Sequence, residues 1–278
     1  MLGRIAIYLS NDEACSRRID AGLRIAKEHN AEVIGVYPSD GAAGHYYDES
    51  IIPQDVRKIL RGRQDEYRDS VRKQFLERAE AAGVKAQWRS PRGDADEALS
   101  LHARYCDLLV MSKAERVDTV TSIIPNLPES VVMAAGRPVL MIPRVGTVPT
   151  IGQRVLYCWD QRREAARAFT DAGPFLKNCK ELVVLEIDRD EDVFRDGDIR
   201  EEDISDYCIS RGYPKPKHLV KNSEGIGVGN VILNTASDMG SDLIVMGAYG
   251  HSRMRQWVMG GASRTLLSSM TVPVLLAH

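Results

Sequence analysis

From Gly247 to Ser263 the chain reads GAYGHSRMRQWVMGGAS, directly after the apolar run Leu243-Ile244-Val245-Met246. Four of the 22 glycines of the chain fall here. Glycine inside a helix or strand lowers stability, so this density needs a reason. Removing side chains lets a ligand reach the backbone. Gly260 and Gly261 lead into a helical pattern carrying Ala262, Ser263, Thr265, Leu266 and Leu267, whose first N–H groups lack intrahelical acceptors. Such N–H groups bind anions, phosphate above all. Turn and cap chemistry would also account for Gly247 and Gly250. The GxxxxGK[ST] and GxGxxG patterns are both missing, so neither the P-loop nor the dinucleotide fingerprint applies.

These residues must be held by a regular scaffold, and an internal repeat reveals it. Asp107-Leu108-Leu109-Val110-Met111 matches Asp242-Leu243-Ile244-Val245-Met246, and Arg137-Pro138-Val139-Leu140-Met141 resembles Val272-Pro273-Val274-Leu275-Leu276, both at an offset of 135 positions. Arg4 to Ser10 aligns with Arg154 to Asp160 at an offset of 150. A duplicated domain follows. Apolar runs near 3–9, 31–37, 84–89, 107–112 and 138–142 in the first copy, and near 154–159, 182–187, 217–220, 242–247 and 272–277 in the second, read as strands. Helical patterns at 161–177, 198–211, 226–239 and 260–269 separate those of the second copy, and a long charged helix is expected over roughly 53–82 in the first. Strand and helix in alternation predict an α/β fold: two tandem Rossmann-like domains, each a five-stranded, mainly parallel sheet flanked by helices. The expected division is 1–143, a linker at 144–153 rich in Gly, Pro and Thr, and 154–278. Pairing of the final strands of the two halves as an intramolecular pseudo-dimer is a further expectation, with a homodimer as an extension of it.

In an open parallel sheet, ligands bind outside the carboxyl ends of the strands where strand order reverses. Gly247 closes the fourth strand of the second copy and is expected at that place. The spacing Gly247, two residues, Gly250, nine residues, Gly260 resembles the nucleotide-binding pattern of the universal stress protein family, and the five-strand layout of both halves resembles its tandem members. Gly261 stands where that pattern has Ser or Thr, and Ser263 is the nearest hydroxyl that replaces it. The resemblance implies an ATP-binding regulatory module in a stress response, with an aspartate near the end of the first strand contacting the adenine or ribose side. Asp160 occupies that position, and it is equally a candidate N-cap for the helix that follows. Ile187 is placed to pack on a purine or in the core. His251, Ser252 and Arg253 would lie over the phosphates. The implied site is Asp160, Ile187, Met246, Gly247, Gly250, His251, Ser252, Gly260, Gly261, Ala262 and Ser263, holding ATP with or without Mg2+.

The first copy reads Ser112-Lys113-Ala114-Glu115 where the second reads GAYG, has Ile124-Pro125-Asn126-Leu127-Pro128 near the later glycines, and carries Ser10 in place of Asp160. Lost backbone access and a glutamate argue for one nucleotide per chain. The insertion Pro38 to Ser50, with His45, Tyr46, Tyr47, Asp48 and Glu49, reads as a surface loop and a weak metal or ligand candidate, so no metal site is assigned.

Composition excludes other classes. The 278 residues carry 37 Lys plus Arg against 39 Asp plus Glu, a net charge of −2, which supplies no broad attraction to nucleic acid or anionic lipid. The opening MLGRIAIYLSNDEACSRR has no basic segment followed by a long apolar run, and a cytoplasmic protein is expected. Five cysteines without a CxxC pair argue against a disulfide framework or zinc site and for buried, reduced thiols. No HExxH, GxSxG or catalytic-cysteine pattern occurs, so enzyme activity beyond slow ATP hydrolysis is not expected. The alternatives are a scaffold without nucleotide, suggested by Gly261, and a slow Mg2+-dependent ATPase using His251 or Asp160.

Overall fold

The computed structural model describes residues 1–39, 53–113, 126–189, 199–248 and 261–278. Their contacts divide the chain into two units, Met1–Arg144 and Val145–His278.

The first unit runs β1 (Arg4–Tyr8), α1 (Cys15–His29), β2 (Glu32–Val36), α2 (Gln54–Ala82), β3 (Ala86–Arg89), α3 (Ala95–Ala103), β4 (Leu108–Met111), α4 (Leu127–Ala135) and β5 (Val139–Met141). The strands pair in parallel in the order β3-β2-β1-β4-β5. The apolar runs of β1, β2, β4 and β5 are continuous rather than alternating because helices cover both faces of such a sheet. Helix α1 buries Cys15, Arg18, Ile19, Gly22, Leu23 and Ala26 along one stripe and stops at Asn30, which adopts φ 54°. Helix α2 buries Val71, Phe75 and Ala79, one residue per turn, and is closed by Gly83 at φ 68°.

The second unit repeats the plan: β6 (Arg154–Cys158), α5 (Arg163–Asp171), α6 (Gly173–Leu176), β7 (Glu181–Ile187), α7 (Asp203–Ser210), β8 (Lys217–Lys221), α8 (Val228–Asp238), β9 (Leu243–Gly247), α9 (Gly261–Ser269) and β10 (Val274–Ala277). The parallel order is β8-β7-β6-β9-β10, the same arrangement as in the first unit. The helix expected over 161–177 is instead two pieces that meet at Ala172. Pro174 supplies no N–H to the turn before it, which ends the first piece. The helix expected over 198–211 spans only Asp203–Ser210.

The repeated aspartates turn out to be clamps. Asp107, one residue before β4, accepts from the N–H groups of Gly3 (2.7 Å) and Arg4 (3.0 Å). Asp242, one residue before β9, accepts from Gly152 (3.1 Å), Gln153 (3.1 Å) and Arg154 (2.8 Å). Each satisfies backbone donors at the start of the first strand of its unit and pins that strand to its neighbour. Ile151 and Gly152 are buried, Gly152 against the Phe175 ring.

An aromatic cluster seats the helices of the second unit. Tyr157 is fully buried with its ring centre 5.2 Å from that of Phe169, which in turn lies 5.2 Å from Tyr207 and 5.4 Å from Tyr213. The Tyr157 hydroxyl donates to the Ala165 carbonyl at 3.1 Å, which fixes α5 across the carboxyl end of β6.

Candidate functional site

Strand order reverses between β6 and β9, whose connections leave toward opposite edges of the sheet. This is where the general rule for open parallel sheets puts a ligand. Pairing aligns Tyr157 with Val245 and Cys158 with Leu185, so the carboxyl ends of β6, β7 and β9 lie side by side. Asp160, Ile187, Met246 and Gly247 are thereby brought to one end of one sheet. Helix α9 begins at Gly261, so Gly261, Ala262 and Ser263 form its first turn. Gly250, His251, Ser252, Arg253 and Gly260 lie outside the described residues, as do His45, Asp48, Glu49 and Glu115.

Asp160 is about half exposed. Its Oδ1 accepts from the Arg162 N–H at 3.1 Å, and its Oδ2 lies 3.9 Å from Arg162 Nε. It is therefore not the N-cap of α5: that position is Arg162, which makes no side-chain cap bond. Asp160 instead closes a two-residue turn before the helix, and much of its carboxylate faces solvent. The residue that follows, Gln161, adopts φ 61°, and Asp188 at the end of β7 adopts φ 51°. Non-glycine residues in this region carry strain, and here two occur at the ends of neighbouring strands. Asp188 is held by the Ser223 hydroxyl (2.5 Å) and N–H (2.8 Å), which keep its carboxyl below the usual carboxylate range.

Gly247 has a purely local reason to be glycine. A Cβ there would stand 2.5 Å from the Glu164 carbonyl carbon and 2.6 Å from the Ala165 nitrogen, because the first turn of α5 lies directly on the end of β9. Its φ is not in the left-handed region, so close approach rather than a turn excludes a side chain. The same contact brings Glu164 to the reversal point, buried, with Arg163 Nε donating to it at 2.5 Å. Burial alone would raise the Glu164 carboxyl. Burial is the largest single influence, but the bond from Arg163, the bond from its own backbone N–H, the Arg163 charge and the smaller effect of His278 together outweigh it, and the group stays below its ordinary range.

Sequence reasoning missed a second polar cluster. Glu186, buried in β7, has Oε1 2.6 Å from His218 Nε2 on β8 and Oε2 3.5 Å from Gln161 Nε2. The available signal was a glutamate inside the otherwise apolar run Leu182 to Ile187. The cluster ties the turn carrying Asp160 to β7 and β8. Among the described residues, no group of three or more His, Cys, Asp or Glu is arranged to hold a metal ion, and no helix is long and apolar enough to cross a membrane. The five cysteines are unpaired: four are buried and Cys158 is partly so.

The fold defines a class: a doubly wound α/β protein of two like units. Residues 152–278 match the model of the Universal stress protein family. Over its whole length the chain has a tandem universal stress protein fold. It is similar to a universal stress protein from Archaeoglobus fulgidus at TM-score 0.75 and 17% identity, covering 99% of this chain and 97% of that one. It is also similar to a putative universal stress protein from Pseudomonas aeruginosa at TM-score 0.64 and 13% identity, covering 99% and 93%. A universal stress protein in complex with cAMP aligns with 51% of this chain and 97% of its own, at 20% identity and TM-score 0.35. No curated protein matches the chain.

Proposed function

We propose that the second unit binds an adenine nucleotide, ATP foremost, as a regulatory module of the stress response, and that each chain holds one nucleotide. The observation that carries this reading is the meeting of Asp160, Ile187 and Gly247 at the strand reversal of the half that matches the family. Asp160 would take the adenine or ribose side, and Ile187 would pack on the base. Met246 would line the crevice floor. The first turn of α9, from Gly261 through Ala262 to Ser263, would receive phosphate oxygens on backbone N–H groups. Gly250, His251, Ser252 and Gly260 complete the set on sequence spacing. Glu164 limits the geometry: a polyphosphate has to run toward α9 and away from that carboxylate.

The tight packing of Gly247 against α5 favours a second reading, a scaffold of the same fold that takes no nucleotide, because one of the three pattern glycines is required without any ligand. Mass spectrometry of small molecules released from freshly purified protein, with calorimetric titration of ATP, ADP and AMP, separates the two. The first reading expects a released or titratable adenine nucleotide, weakened by about 1–3 kcal/mol in Asp160→Ala and lost in Gly250→Glu. Absence of any adenine nucleotide signal in the wild type establishes the scaffold.

A further inference from the structure

The first unit fills the corresponding crevice with its own side chains. By the offsets of the repeat, Asp160 and Gly247 correspond to Ser10 and Ser112, and Ala168 on α5 corresponds to Arg18 on α1. The helix faces agree with this alignment, since Ala165, Ala168 and Phe169 are buried in α5 as Cys15, Arg18 and Ile19 are in α1. Arg18 is completely buried at the reversal between β1 and β4. Its Nε donates to the Tyr8 carbonyl at 2.8 Å. One terminal nitrogen donates to Asp12 Oδ1 (3.1 Å) and Ser112 Oγ (2.5 Å), and the other to Ser10 Oγ (2.6 Å) and Asp12 Oδ2 (2.9 Å). The guanidinium carbon also lies 4.9 Å from the centre of the Tyr8 ring.

A guanidinium has five N–H donors, and all five have acceptors here. The Asp12 carboxylate, with a side chain only 8% exposed, supplies the counter-charge through both oxygens. Burying an ion pair is unfavourable unless its geometry is this complete, and simple packing would be served by a small apolar residue such as the Ala168 of the second unit. The two positions that in the second unit flank the proposed ligand are, in the first, tied to one another by a single side chain.

We infer that Arg18 is a built-in occupant of the first unit's crevice: it joins the exits of β1 and β4 and makes this half stable without a ligand and closed to one. The comparison rests on the nucleotide reading of the second unit, but the closure itself does not. Hydrogen exchange of the full chain, followed by mass spectrometry on peptides covering residues 4–12 and 108–113, tests it. Arg18→Ala is expected to speed exchange in both peptides by about tenfold or more, and ethylguanidinium, but not ethylammonium, is expected to restore protection. Ser112→Ala, which leaves one buried donor without an acceptor, gives a milder increase in the same peptides and serves if Arg18→Ala does not fold. Unchanged exchange in both variants overturns the inference. So does slowing of exchange in the 4–12 peptide of the wild type by ATP. If ATP slows exchange nowhere in the chain, the nucleotide reading fails while the variants still decide the closure.

Discussion

At Gly247 an added methyl group would meet the backbone of Glu164 and Ala165 at 2.5–2.6 Å, and a helix backbone cannot yield as a flexible side chain can. Gly247→Ala is expected to lower stability by about 1–3 kcal/mol in urea unfolding, through displacement of α5. Stability lost with nucleotide affinity retained would assign this glycine to packing alone. The thiols make a second prediction at this scale. Burial pushes the Cys158 and Cys208 thiols up to about 12 and those of Cys106 and Cys179 up to about 11. At pH 8 these groups are thiolate at the level of about one part in a thousand or less. Iodoacetamide at pH 8 should leave them unmodified in the native protein over a time that labels them fully in urea. Rapid native labelling of Cys158 would mean that the end of β6 opens.

Among the elements, the first strand of each unit depends on contacts remote in sequence. Asp242→Ala releases three N–H groups at the start of β6 and is expected to destabilise by about 1–3 kcal/mol, read by denaturant unfolding. In the first unit, Arg4 Nε donates to Glu32 at 2.6 Å and Lys85 lies 3.4 Å from the same carboxylate, holding the starts of β1 and β2 together. Arg4 and then Lys85 hold the Glu32 carboxyl below its usual range. A carboxyl depressed in the folded state stabilises above its unfolded value, about 4.3, and that contribution disappears as pH falls through the lower folded value. Stability measured from pH 6 to pH 2 should therefore fall at the acid end, and Glu32→Gln should flatten the fall. The strands were legible beforehand because buried parallel strands are continuous apolar runs. The break in the first helix of the second unit was also written in the chain, as Gly173-Pro174, yet periodicity carries across it because Phe175 and Leu176 remain in phase with the buried face.

For the whole molecule, the two units share one strand order but differ at the reversal, where the first holds a sealed ion pair and the second holds glycine, a solvent-facing aspartate and a strained turn. Equilibrium dialysis with labelled ATP is expected to give one site per chain. A stoichiometry of two would place a nucleotide in the first unit and contradict the loss of the cradle there.

The linear chain determined what depends on local period and composition: the duplication and the alternation of strand and helix. Tertiary structure alone decided which distant atoms approach one another. It set α5 against Gly247, joined Arg18 to Ser112 across 94 positions, and turned the repeated aspartates into strand clamps. Periodicity reports which face of an element is buried, whereas the identity of the neighbour is a property of packing, in which residues far apart in the chain share one volume.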